Sequence, residues 1–127
     1  EIAKVPRGVE ARHVPVAEAL VREAPKGSSF VVLTHDHGLD FLIASEALSR
    51  GDAAYVGMIG SKTKKATFKS WLSDMGLDTE MVEKLAMPIG GAEIRDKRPE
   101  VIAALTVAEI LRAVGGQDLV LRRNLDD

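Results

Sequence analysis

Four consecutive apolar residues, Phe30-Val31-Val32-Leu33, constrain the fold of this chain more than any other feature. The run is short and β-branched, with Gly27-Ser28 before it and Thr34-His35-Asp36-His37-Gly38 after it. Such a run suits a strand buried on both faces, as in the centre of a parallel sheet. Parallel strands need crossover connections, usually helices, and the rest of the chain has to supply them.

The flanking sequence reads as those crossovers. Val9 to Val14 predicts a short strand, and Val16, Ala19 and Leu20 recur at helical spacing until Pro25-Lys26-Gly27. Leu39 to Ser49 is apolar around most of a helical circumference and is closed by Arg50-Gly51, as for a helix lying on a sheet. A second strand follows at Ala53 to Ile59. Ser61 is placed to cap a helix in which Phe68, Trp71, Leu72 and Met75 share one face, and Gly76 ends it. A short helix around Thr79 to Leu85 leads to Ala86-Met87-Pro88-Ile89, a short strand whose proline favours an end or an edge. Pro99 opens a last helix with a buried stripe of Val101, Ala104, Leu105, Ala108 and Leu111, running to Gly115-Gly116. The order predicts an α/β fold with a doubly wound, mostly parallel sheet over residues 1–116 and a C-terminal tail over 117–127.

Composition narrows the chemistry. At 127 residues and 46% apolar content the chain suits one domain with a real core. Its 17 basic and 19 acidic residues give a net charge of −2, so no field for a polyanion exists and nucleic acid is not the expected partner. The absence of cysteine excludes disulfides and thiolate sites from this chain. No stretch approaches the roughly 18 apolar residues of a membrane span, so the expectation is a soluble, cytoplasmic protein with no membrane contact.

In an open parallel sheet, ligands bind beyond the carboxyl ends of the strands. Three unusual segments follow strands here: Thr34 to Gly38, Gly57 to Lys62, and Pro88 to Arg95. Gly57-Met58-Ile59-Gly60-Ser61-Lys62 ends a strand and opens a helix, where free N–H groups and the helix dipole favour an anion. Gly60 allows close approach, Ser61 can hydrogen-bond, and Lys62 or Lys65 can add charge. The pattern is neither the dinucleotide fingerprint nor the P-loop, and an ordinary strand-to-helix turn is the alternative. Lys62, Lys65 and Lys69 recur on one face with Lys64 beside them, a stripe for which a solvated face is the usual explanation. Thr34-His35-Asp36-His37 groups titratable side chains after the most apolar strand, suited to holding a ligand or relaying protons. The alternative is that Asp36 caps the next helix and the histidines face water. No metal site is assigned, since no further His or Cys completes a typical shell. His13 takes no role. Gly90 and Arg95 join the candidate site if the Gly90-Gly91 loop folds over the rim, where Arg95 or Lys97 could close on an anion.

Three stretches together resemble the xanthine dehydrogenase accessory protein family. They are Val31-Val32-Leu33-Thr34-His35-Asp36-His37-Gly38-Leu39-Asp40, Tyr55-Val56-Gly57-Met58-Ile59-Gly60-Ser61-Lys62, and Pro88-Ile89-Gly90 followed by Lys97-Arg98-Pro99-Glu100-Val101-Ile102-Ala103. The resemblance covers about residues 9–114 and implies the C-terminal Rossmann-like domain of a molybdenum-cofactor insertion factor, an assembly chaperone more than an enzyme. The implied ligand is molybdenum cofactor (molybdopterin), held by Thr34, His35, Asp36, His37, Gly60, Ser61, Lys62, Lys65, Gly90 and Arg95. The implied partner is the molybdenum subunit of xanthine dehydrogenase, and sulfuration of the cofactor would need a separate sulfurtransferase. Family members carry a strand, glycine loop and helix upstream of the residues seen here. Without that first unit the sheet would expose an edge, and the expectation is a homo-oligomer or a chain paired with the missing part.

Two other readings stay open on the residues themselves. One is an NAD(P)- or nucleotide-dependent oxidoreductase, which this fold class often supports. The other is a ligand-free interaction domain whose lysine stripe meets an acidic partner.

Overall fold

The computed structural model describes residues 7–34, 36–91 and 95–126, with side chains as far as residue 115. Helix α1 is Ala17–Glu23, strand β1 Ser29–Val32, helix α2 His37–Ser49, strand β2 Tyr55–Met58, helix α3 Lys62–Asp74 and helix α4 Pro99–Asp126, with a 3-10 helix at Thr79–Lys84 between the last two. Strands β1 and β2 pair in parallel with Phe30 opposite Val56 and Val32 opposite Met58, and Ala86 makes a parallel bridge to Gly57. Pro88 stands at the end of that third segment.

The register sorts the side chains between two faces, because neighbours along a strand point to opposite sides. Phe30, Val32, Val56 and Met58 face the core that Phe41, Ala44, Ala47 and Leu48 of α2 and Phe68 and Leu72 of α3 complete. Phe41 lies 5.0 Å from Phe68 and 5.9 Å from Trp71, ring centre to ring centre, so aromatic contacts join α2 to α3. Arg50 fastens the end of α2 to its surroundings: its guanidinium donates to the Val21 carbonyl at 2.6 Å, pairs with Asp52, and lies over the Phe30 ring. Helix α3 ends in a Schellman motif, in which Gly76 takes φ +73° and the Leu77 N–H reaches the Leu72 carbonyl.

The second face is only partly covered. Tyr55 and Gly57 lie beneath Ile89 and α4, whereas Val31 is 39% and Leu33 61% exposed. Among the described residues the expected burial of the Phe30–Leu33 run on both faces therefore fails over β1, since α4 packs on β2. Among the described residues the outer edge of β1 has no strand partner.

Three further expectations are corrected. Residues 9–14 form no strand: Val9 is 54% exposed, and alternating apolar residues cannot make a strand without a neighbouring one to pair with. Helix α4 continues through Gly115-Gly116, the predicted end of the helix, to Asp126. Glycine costs a helix about 1 kcal/mol relative to alanine, so the pair weakens the helix without having to end it. The buried stripe of α4 is also rotated from the predicted one. Thr106 is buried and Leu105 packs against Gly90, while Ala104, Ala108 and Leu111 face water. Among the described residues no helix is long and apolar enough to cross a membrane.

Phe68 has no exposed surface and touches two other aromatic rings. Phe68→Ala is expected to lower stability by about 3–5 kcal/mol, the usual cost of emptying so large a core site, which urea unfolding would measure.

Candidate functional site

The carboxyl ends of β1, β2 and the Ala86 segment point the same way, because all three run parallel. The chain leaves them as Thr34 to Asp36, Ile59 to Ser61, and Met87 to Gly91. They overlap the segments that the sequence singles out, Thr34 to Gly38, Gly57 to Lys62 and Pro88 to Arg95, of which residues 35 and 92–94 lie outside the described residues.

Each of the first two opens a helix with a capping side chain. Asp36 accepts from the Leu39 N–H at 3.2 Å and Ser61 from the Lys64 N–H at 3.3 Å. Thr34 steadies the first turn: its hydroxyl donates to the Asp36 carbonyl and accepts from the Asp36 N–H. The N–H groups of His37 and Gly38 in α2, and of Lys62 and Thr63 in α3, have no partner among the described residues. Each helix start thus offers two free donors and the positive end of its dipole.

A buried ion pair joins the two starts. Asp40, in the first turn of α2, is completely buried, and Lys64 Nζ donates to its Oδ2 at 2.7 Å. The same ammonium donates to the Ile59 carbonyl at 2.9 Å, and the Thr34 N–H donates to Asp40 Oδ1 at 2.9 Å. Burial is the largest influence on Asp40 and pushes its carboxyl up, but the hydrogen bonds from Lys64 and Thr34 and the lysine charge together outweigh it. The carboxyl is held below the usual carboxylate range. Gly60 takes φ +147°, and the space of a Cβ there is filled by the Lys64 stem and the Met87 methyl group.

The third segment is held by Glu109 of α4. Its Oε1 accepts from the Tyr55 hydroxyl at 2.7 Å and from the Gly90 N–H at 2.9 Å. Gly90 and Gly91 both adopt positive φ in a turn closed by the Gly91 N–H to the Pro88 carbonyl. A Cβ on Gly57 would collide with the Tyr55 ring and with Ile89, so glycine is required where the tyrosine folds across the strand. Burial first, and the Glu109 carboxylate second, raise the Tyr55 hydroxyl far above its ordinary pKa.

Of the residues singled out in the sequence, Thr34, Asp36, His37, Gly60, Ser61 and Lys62 stand along the two joined helix starts. Asp36, His37, Ser61 and Lys62 are exposed, Lys65 is half-buried next to Lys64 of the ion pair, and Gly90 belongs to the third segment. Arg95 is exposed and forms no ion pair with the described residues. His35 lies outside the described residues. Lys64, grouped in sequence with the solvated lysines, turns inward. Sequence reading gave no role to Asp40, Tyr55 or Glu109. The one available signal was Asp40 itself, a carboxylate between Leu39 and Phe41 that needs a partner if that face is buried. Among the described residues no group of three or more His, Cys, Asp or Glu is arranged to hold a metal ion.

A family model described as the XdhC Rossmann domain matches residues 2–110. The chain belongs to that family. The match takes in β1, β2, α3 and the first part of α4, so the whole rim of this XdhC Rossmann domain lies inside it. Membership connects the chain with xanthine dehydrogenase maturation. No curated protein matches the chain.

Two pH effects follow. The folded Asp40 carboxyl titrates below its unfolded counterpart, so the unfolded chain binds more protons in the interval between them. The pair's contribution is complete above about pH 3.9, the unfolded carboxyl value, and is lost as pH falls through the lower folded value. Asp40→Asn is expected to remove this part of the acid-side slope of stability in urea titrations at stepped pH. At the alkaline end the sign is reversed, since the folded Tyr55 value is raised: its stabilisation is full below about pH 10 and declines above it. Tyr55 is the sole tyrosine of the chain. Ultraviolet difference spectra should therefore show tyrosinate only as the protein unfolds, and a separate tyrosinate transition in folded protein would contradict the buried hydrogen bond.

Proposed function

We propose that this domain binds molybdenum cofactor at the rim and passes it to xanthine dehydrogenase as a maturation factor. The observation that carries the reading is the pair of joined helix starts inside a domain of the XdhC family, each with two free N–H donors. Such ends suit a phosphate or an oxo anion, and molybdopterin with its metal carries both kinds of group. Within this reading Lys62 and Lys65 add positive charge, and the Ser61 hydroxyl, whose oxygen accepts the Lys64 N–H, still has its proton to donate. Thr34 and Asp36 shape the turn, and His37 stands at the start of the helix beside it. On this reading Gly90 lies at the third strand segment, and Arg95 is assigned to the ligand as a further cation. When bound, the cofactor supplies the molybdenum centre and its phosphate, while the chain's own part is to hold, orient and release it.

Release follows from the same construction. The candidate contacts are helix-end N–H groups and exposed lysines, which hold an anion without covalent bonds, so a target enzyme with a deeper pocket can take the ligand. The uncovered face over β1 fits a layer completed by further chain, which would make the sheet doubly wound. A second copy of this chain, or another polypeptide, would serve the same end.

Anaerobic titration of the purified chain with molybdenum cofactor, compared with NAD(H) and AMP, tests the reading. Selective cofactor binding is expected, and a Ser61→Asp, Lys62→Glu variant should bind at least about tenfold more weakly, since two anionic groups replace a donor and a cation, a change of about 1.4 kcal/mol or more. Preferential binding of NAD(H) would point instead to an oxidoreductase, and binding of none of the three would leave the cofactor reading without support.

A further inference from the structure

We infer that Asp40 and Lys64 are positioning residues: without touching a bound ligand, they set the spacing of the two helix starts and thereby the affinity of the rim for it. This rests on the cofactor-binding reading above. Each end of the pair is tied to a different rim segment. Asp40 belongs to α2 and accepts the Thr34 N–H that follows β1, whereas Lys64 belongs to α3 and donates to the Ile59 carbonyl that follows β2. Both Asp40 oxygens and the ammonium are thereby engaged, and among the described residues no buried side-chain polar atom lacks a partner. The stem of Lys64 fills the space beside Gly60, so a side chain at position 60 would push the lysine away from Asp40.

Stability alone does not account for such a pair. Removing two charges from water costs much of what their attraction returns, and well-packed apolar residues of similar volume often serve as well or better. Directional hydrogen bonds do something that apolar packing cannot: they fix the distance between two backbone turns. Donors on both turns can act on one anion only if that distance is held, and supporting groups around a site commonly govern its affinity in this way. Lys62 is exposed and Lys65 half-buried on a helix face away from the inward-turned Lys64.

The test uses the full chain and molybdenum cofactor under anaerobic conditions, with urea unfolding measured on every variant. The Asp40→Asn, Lys64→Met double variant leaves no unpaired buried charge and is expected to fold. Because the Ile59 carbonyl loses its donor, some loss of stability is expected, which the urea measurement separates from binding. The variant should bind cofactor about tenfold more weakly, the loss typical when a supporting partner of a site is removed. Equal affinity in a stable double variant would overturn the positioning role and leave the cofactor reading intact. Absence of binding by the wild type would remove the reading, and the inference with it. Should the double variant not fold, Lys64→Arg decides: it keeps the charge pair but changes its length and shape, so weaker binding at retained stability supports positioning and wild-type binding refutes it.

Discussion

The salt bridge between Asp40 and Lys64 is the constraint on which the arrangement of the rim depends. Parallel pairing brings β1 and β2 level, but it leaves the chain free to depart from each strand in many directions. The buried pair removes that freedom by tying the first turns of α2 and α3 to each other and to the backbone just beyond both strands. The aromatic contacts of Phe41 with Phe68 and Trp71 act farther along the same helices and hold their bodies together. Contact at two levels along each helix fixes the angle between them, which neither level would fix alone.

The other side of the sheet is organised by one carboxylate. Glu109 receives hydrogen bonds from a strand residue and from a turn glycine, and so registers α4 against β2 and against the Pro88–Gly91 turn. The three segments at the carboxyl end are therefore not independent loops. Two are joined through Lys64 and Asp40, and the third is joined to β2 through Tyr55 and Glu109.

Much of this was legible in the sequence, and the division follows physical range. Asp36 and Ser61 announce helix starts because a cap acts over three residues, and Gly76 announces an end for the same reason. The Phe68 and Leu72 face was legible from helical spacing, whereas Met75 falls at the C-cap and is mostly exposed. The strand expected at Val9 to Val14 failed because alternation records only a capacity to pair. The rotated face of α4 was hidden by its composition, since apolar residues occur around most of its circumference and only the contact with Tyr55 and Gly90 selects one side. Asp40 and Lys64 are 24 positions apart, and Tyr55 and Glu109 are 54 apart. No local pattern links residues at that separation. The candidate site was thus legible as a set of loops and not as the two bonded pairs that assemble them.

Gly57 shows what this assembly means for sequence drift. The tyrosine at 55 folds over the glycine two residues on, Ile89 closes the remaining space, and the tyrosine hydroxyl is committed to Glu109. A side chain can enter at position 57 only after residue 55 has become smaller, and that change leaves the carboxylate at 109 short of one donor. The four positions are therefore a single heritable unit. A lineage could exchange the whole set in a favourable order, but a change at 57 alone meets an immediate steric barrier, which narrows the mutational routes by which this part of the rim can acquire a different shape.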